Sequence, residues 1–286
     1  MVTIKSKREI ELMREAGRIA CLAQKEIEKA IKPGISTFEL DKIAEKVIRA
    51  NGGIPAEKGY PSGVKGIPDF PGSICASIND EVIHGIPSKR AILKDGDIVS
   101  IDLVAYKNGY NGDCARTYTV GKVSDKTQRL VDITKQAFFE GIKFAKKGNR
   151  LGDISHAIGT FVENNGYSVV SEFQGHGIGA EMHEDPGIPN YRKTRKRNKV
   201  RTWHDTCNRT NGYYGKTRYT TIRWWLDYCI RRWYTGSSLW KYNFNYRKRA
   251  RDIDNDIIIR YNKLVIFVNK SNTYNRRMEN CLRKML

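Results

Sequence analysis

Apolar positions along residues 1–190 recur with two distinct periods. Ile10, Met13, Gly17 and Ala20 fall on one stripe of a 3.6-residue period that continues to Ile31. Ser6 and Glu9 stand three apart at its start, the pattern in which each side chain caps the other's backbone N–H. Pro33-Gly34 stops the run. A second stripe, Leu40, Ile43 and Val47, starts at Ser36 with Glu39 and ends at Asn51-Gly52-Gly53. The Gly- and Pro-rich residues 59–72 read as loop. Strand-like runs follow at 73–78 and 97–105. Asn108-Gly109 then forms a hairpin signal, with 110–120 as the returning strand. Helical periodicity returns over 126–147 and 151–164, and Asn165-Gly166 leads into a strand at 167–173. Helices mixed with short strands predict an α/β (α+β) fold.

The pattern breaks down after Asn190, and composition shows why. The chain has 286 residues and a formal net charge of +20. Residues 1–190 hold 26 Lys and Arg against 25 Asp and Glu, whereas residues 191–286 hold 25 against 6. All eight prolines precede residue 191, all five tryptophans follow it, and only Gly212, Gly215 and Gly236 of the 25 glycines lie beyond it. A 96-residue stretch with no proline and almost no glycine lacks the usual turns and caps. Its apolar runs at 256–259 and 264–268 are expected not to pack cooperatively. We therefore divide the chain into an α/β domain, 1–190, and a basic tail, 191–286. The tail's Lys, Arg, Tyr and Trp suit nonspecific contact with nucleic acid. No apolar run reaches the ~18 residues of a membrane span, residues 1–11 carry no secretory signal, and six scattered cysteines form no CxxC pair. A reducing cytoplasm is the expected location.

The hairpin carries the first chemistry. With a two-residue turn at Asn108-Gly109, Lys107 pairs with Tyr110 and Val104 with Asp113. Asp102 and Asp113 are then diagonal neighbours on one face. Two carboxylates held together in a mostly apolar strand pair repel unless a positive charge lies between them. A divalent cation is the economical reading; the alternative is that one of them faces solvent or caps a turn. Three histidines stand in Gly/Pro-rich strings: His84 in IHGIP, His176 in GHGIG directly after a strand, and His183 in MHEDP. Carboxylates with imidazole suit Mn, Fe, Co or Zn. His156, inside a helical pattern, reads as structural, and His204 in the tail has no ligand-like context.

The strings FPGSICASINDEVIHGIP (70–87), GDIVSIDLVAYKNGYNGDCARTYTVG (96–121) and GHGIGAEMHEDPGIPNY (175–191) resemble type I methionine aminopeptidases. The resemblance covers residues 1–191. It implies the pita-bread fold shared with prolidases and creatinases, here truncated and followed by a non-native tail. It also implies a largely monomeric enzyme, associated with ribosomes, that removes the initiator methionine from nascent polypeptides. Two divalent metals (Co, Mn, Fe or Zn) would be held by two Asp, one His and two Glu. Asp102, Asp113 and His176 match three of these. His84 and His183 match histidines that contact the scissile amide and the tetrahedral intermediate, and Cys75 matches a wall of the methionine pocket. A prolidase-like hydrolase is the alternative within the same fold.

The two glutamates of that pattern are missing. They belong in an I-E-P-M segment and in one following H-Y, yet beyond Glu184 the only glutamate is Glu279, in neither context. Codons permitted for 192–212, suitably chosen and read one base later, can spell GKPGRGTKLEHGMTLAIEPMV. Those for 223–254 can spell DGGW, EDGTLAAHYGNTISIT and EPEILT in the same frame. The tail is therefore read as out of frame, with 255–286 as read-through. Where the second glutamate belongs, the Trp240 codon followed by that of Lys241 yields glycine. The expectation for this chain is an inactive or impaired peptidase.

Overall fold

The computed structural model describes residues 2–63, 66–146, 148–171, 173–191, 257–261 and 264–268. Helix α1, Lys7–Ala30, starts at Ser6 with the capping box complete: the Glu9 N–H donates to Ser6 Oγ and the Ser6 N–H to Glu9 Oε2 at 2.7 Å. Helix α2, Thr37–Ala50, starts the same way at Ser36 and Glu39. Its buried face is Thr37, Leu40, Asp41, Ala44 and Ile48, so the apolar stripe sits about one residue from the one read in the sequence. Next come β1, Ile54–Pro55, and β2, Cys75–Ile78, then the long hairpin strands β3, Ile98–Lys107, and β4, Tyr110–Thr119. Helices α3, Asp125–Ile142, and α4, Leu151–Asn164, lead to β5, Ser168–Val169, β6, Gln174–Gly177, and β7, Glu184–Pro189.

Strand β3 is the centre of the main sheet. Strand β4 pairs along one edge; β2 and β1 pair along the other. The turn is the expected one, with Asn108 at φ 51° and Gly109 at φ 86°, both in the left-handed region that a type I′ turn requires. It fixes Lys107 opposite Tyr110, Val104 opposite Asp113 and Asp102 opposite Ala115.

Alternation then sorts the side chains. Val99, Ile101, Leu103, Ala105 and Cys114 face α1 and α2 and join Ile19, Ile27, Leu40 and Ile48 in one core. Asp102 and Asp113 point the other way, and neither is accessible to solvent. Helix α1 crosses β4 with almost no space between the backbones: a Cβ on Gly112 would stand 2.2 Å from Gly17 N. Gln24 seals the crossing from α1, its Nε2 donating to the carbonyls of Ile101 at 3.1 Å and Cys114 at 2.7 Å. A second core gathers Leu130, Phe138, Ile154, Ile158 and Val162 between α3 and α4.

Two readings of the sequence change here. The strand expected over 167–173 shortens to Ser168–Val169. The apolar tail runs also find partners: β8, Ile257–Tyr261, and β9, Leu264–Val268, form a hairpin whose β9 pairs with β5, Ser168 opposite Phe267 and Val169 opposite Ile266. Main-chain pairing needs no particular side chains, so capless, turn-poor sequence can still extend a sheet. His204 and Trp240 lie outside the described residues. Among the described residues, no helix is long and apolar enough to cross a membrane.

Candidate active site

The face of the main sheet opposite the helices carries the candidate residues. Cys75 on β2 stands directly opposite Asp102 on β3, and Asp113 on β4 is diagonal to Asp102. Ser100 and Thr117 hydrogen-bond to each other at 2.8 Å further along the same face. The Cys75 thiol donates to Glu57 Oε2 at 3.2 Å, and both side chains are buried.

The segment after β6 docks onto this hairpin through Asn111. Its N–H donates to Gly179 O at 2.9 Å, and its Nδ2 donates to Gly179 O and Ala180 O. From the other side Lys5 reaches Glu184 with Nζ to Oε2 at 2.6 Å, a largely buried ion pair that ties the N-terminal segment to the start of β7. The stretch between these two anchors carries His183.

His176 lies within β6 rather than after a strand. Its glycine neighbours give no apolar–polar alternation, so the sequence hid the strand, whose ladder shifts register between Gly175 and Gly177. A carbonyl oxygen can only accept, so the 2.6 Å contact of His176 Nδ1 with Gly177 O places a proton on Nδ1, which in the neutral ring leaves the lone pair on Nε2. A metal-binding imidazole has this tautomer. The rings of His176 and His183 stand 4.7 Å apart. His183 Nδ1 is 3.1 Å from the hydroxyl of Tyr60. Tyr60 was missed in the sequence because it belongs to a loop read only as Gly- and Pro-rich. His84 is buried at φ 58°, a conformation few non-glycine residues adopt, and the next residue bonds to β2, Gly85 O accepting from Ala76 N and Gly85 N donating to Ser77 Oγ. His156 is exposed on α4, with its Nδ1 3.5 Å from the Thr160 hydroxyl.

Two buried carboxylates on one face and an imidazole in the ligand tautomer are the right donors for a divalent cation. They do not complete a metal centre. Among the described residues no three of His, Cys, Asp or Glu are gathered closely enough to hold a metal ion. The described residues therefore do not fit a divalent metal as they stand.

The sequence matches Metallopeptidase family M24 over residues 11–224. "Methionine aminopeptidase 1" of Bacillus subtilis is 53% identical over 191 residues, which are 67% of this chain and 74% of that protein. The crystal structure of the methionine aminopeptidase of Thermotoga maritima superposes with a TM-score of 0.67 at 38% identity, covering 70% of this chain and 78% of the other. The prolidase of Pyrococcus furiosus is more distant, with a TM-score of 0.55 at 29% identity, covering 67% of this chain and 53% of the other. The mixed sheet-and-helix architecture is the pita-bread fold of these proteins. The chain belongs to metallopeptidase family M24, whose members depend on divalent metal.

Proposed function

We propose that this chain derives from an enzyme that removes the initiator methionine from nascent proteins, and that in its present form it turns over little or no substrate. The observation that carries the reading is the register of the β3–β4 hairpin. It sets Asp102 and Asp113 on one buried face, beside a segment bearing His176 and His183. In this reading Asp102, Asp113 and His176 are the surviving cation ligands, His84 and His183 meet the scissile amide, and Cys75 lines the methionine pocket. The metal is Co, Mn, Fe or Zn, two per site in the intact enzyme. The substrate is the N-terminal methionine of a new chain at the ribosome, in the cytoplasm, met by a monomer.

The incomplete donor set is the reason for the low turnover. Asp102, Asp113 and His176 are not gathered closely enough to act as one three-donor site, so any cation is held weakly, and with both glutamates absent there is no carboxylate to shuttle a proton. We further propose that residues from Arg192 onward are read in a shifted frame, which removed those glutamates and produced the tail's excess positive charge. That charge makes the tail adhere to nucleic acid without serving a selected function.

The test is methionine release from Met-Ala-Ser with Mn²⁺ or Co²⁺. The chain as it stands is expected to release none. A chain with the frame restored from Arg192, and with glutamate where the Trp240 codon forces glycine, is expected to release methionine. Robust turnover by the unaltered chain would refute the impairment. Faster cleavage of Xaa-Pro than of Met-Ala by the restored chain would favour the prolidase reading. Resequencing the gene around the codons for 190–193 tests the frame directly.

A further inference from the structure

His176 and His183 stand ring to ring, yet their Nδ1 atoms meet opposite partners. Nδ1 of His176 faces a carbonyl oxygen, Gly177 O at 2.6 Å, and must be the donor. Nδ1 of His183 faces the hydroxyl of Tyr60 at 3.1 Å, with the two rings edge to face at 5.7 Å. A phenol O–H is a good donor, and an imidazole lone pair is a far better acceptor than a phenol oxygen. The favoured arrangement is Tyr60 donating to Nδ1, which moves the proton of His183 to Nε2.

We infer that Tyr60 is a positioning residue that holds His183 in the Nε2–H tautomer, opposite to that of its neighbour His176. The two adjacent imidazoles then divide the work. His176 presents a lone pair suited to a cation, and His183 presents an N–H suited to the oxygen of a polarised amide. Tyr60 is itself fixed by its loop: its N–H donates to Glu57 O at 3.1 Å, and its carbonyl accepts from Phe70 N at 2.9 Å. Tyr60 thereby links its loop to the site through its hydroxyl.

This inference deepens the peptidase reading and takes the roles of His176 and His183 from it, but its test does not depend on turnover. The full chain, labelled with ¹⁵N-histidine, is examined by long-range ¹H–¹⁵N correlation at about pH 8.5, where ordinary imidazoles are neutral. Protonated and lone-pair nitrogens fall in separate ¹⁵N ranges, and His183→Gln assigns the signal. The expected result is a single Nε2–H tautomer for His183 and a single Nδ1–H tautomer for His176. Tyr60→Phe is expected to release His183 to averaged shifts between the two tautomers while leaving His176 unchanged. A His183 protonated on Nδ1 in the unaltered chain overturns the inference, as does an unchanged His183 signal in Tyr60→Phe. Should Tyr60→Phe not fold, the unaltered chain grown with 3-fluorotyrosine replaces it. The more acidic phenol must shift His183 Nδ1 further toward the hydrogen-bonded range, and a signal that stays put refutes the assignment. Lack of methionine release leaves this result untouched, and a wrong tautomer leaves the peptidase reading standing.

Discussion

Replacing Asp102 with Asn is expected to make the metal-free protein more stable while abolishing its response to divalent cations. Asp102 and Asp113 are both inaccessible to solvent and diagonal across β3 and β4, a relation that puts their Cβ atoms ~7 Å apart. Two negative charges at ~7 Å repel by about 2 kcal/mol at an effective dielectric constant of ~20. Asn keeps the volume and removes the charge, so urea unfolding in EDTA at neutral pH should show a gain of roughly 1–2 kcal/mol. In ~10 mM Mn²⁺, and with a Kd on the order of 1 mM, the unaltered chain should gain ~1.4 kcal/mol. Asp102→Asn should gain almost nothing. Two results would refute the reasoning. If Asp102→Asn is the less stable protein in EDTA, the carboxylates do not oppose each other. If Mn²⁺ stabilises both proteins equally, the pair is not where the cation goes.

Two further perturbations test the frame around the site. Gly112→Ala drives a methyl group into the backbone of α1 at Ala16 and Gly17, so α1 must move away from β4. A loss of about 2–3 kcal/mol in urea is expected, the upper part of the range for overpacking because the methyl meets backbone rather than a movable side chain, and a loss below ~0.5 kcal/mol would show that the crossing is loose. Glu45 is bound by Lys42, Lys58 and Arg49, which lower its pKa from 4.5 to about 2. Its contribution is therefore present above the unfolded carboxylate range and lost as pH falls from there toward about 2. Glu45→Gln should narrow the stability difference between pH 7 and pH 3; an unchanged difference between the two would place the acid sensitivity elsewhere.

How much of this was legible in the sequence depended on how local the cause was. The capped starts of α1 and α2 and the register of the β3–β4 hairpin follow from residues within four positions of each other, and each appears in the structure at the residues that encode it. The Asn108-Gly109 turn was the most informative because it fixed two residues at positive φ and, through them, ten cross-strand pairs. Distant causes were not legible. Tyr60 meets His183 across 123 positions, and nothing in the run from Gly59 to Gly72 marks the hydroxyl that reaches it. Glu57 gives no periodic signal either, although it is buried against Cys75. Strand β6 was hidden because a glycine-flanked histidine has no alternation to read. The β9 pairing with β5 was hidden because it rests on main-chain groups, which any sequence supplies.

The two-residue turn between β3 and β4 also works as a parity check on the gene. Side chains on a strand alternate, so while the turn stays at two residues the count of residues between Asp102 and Asp113 decides whether the two carboxylates share a side. With that turn kept, inserting or deleting one residue between Tyr110 and Asp113 would turn Asp113 to the helix-facing side that Gly112 and Cys114 occupy and bury a charge there, whereas a residue added to the turn itself is absorbed as a longer loop with a bulge. Substitutions in the interval leave this parity unchanged even where, as at Gly112, they cost stability, whereas changes of length within one strand reverse it unless they come in pairs.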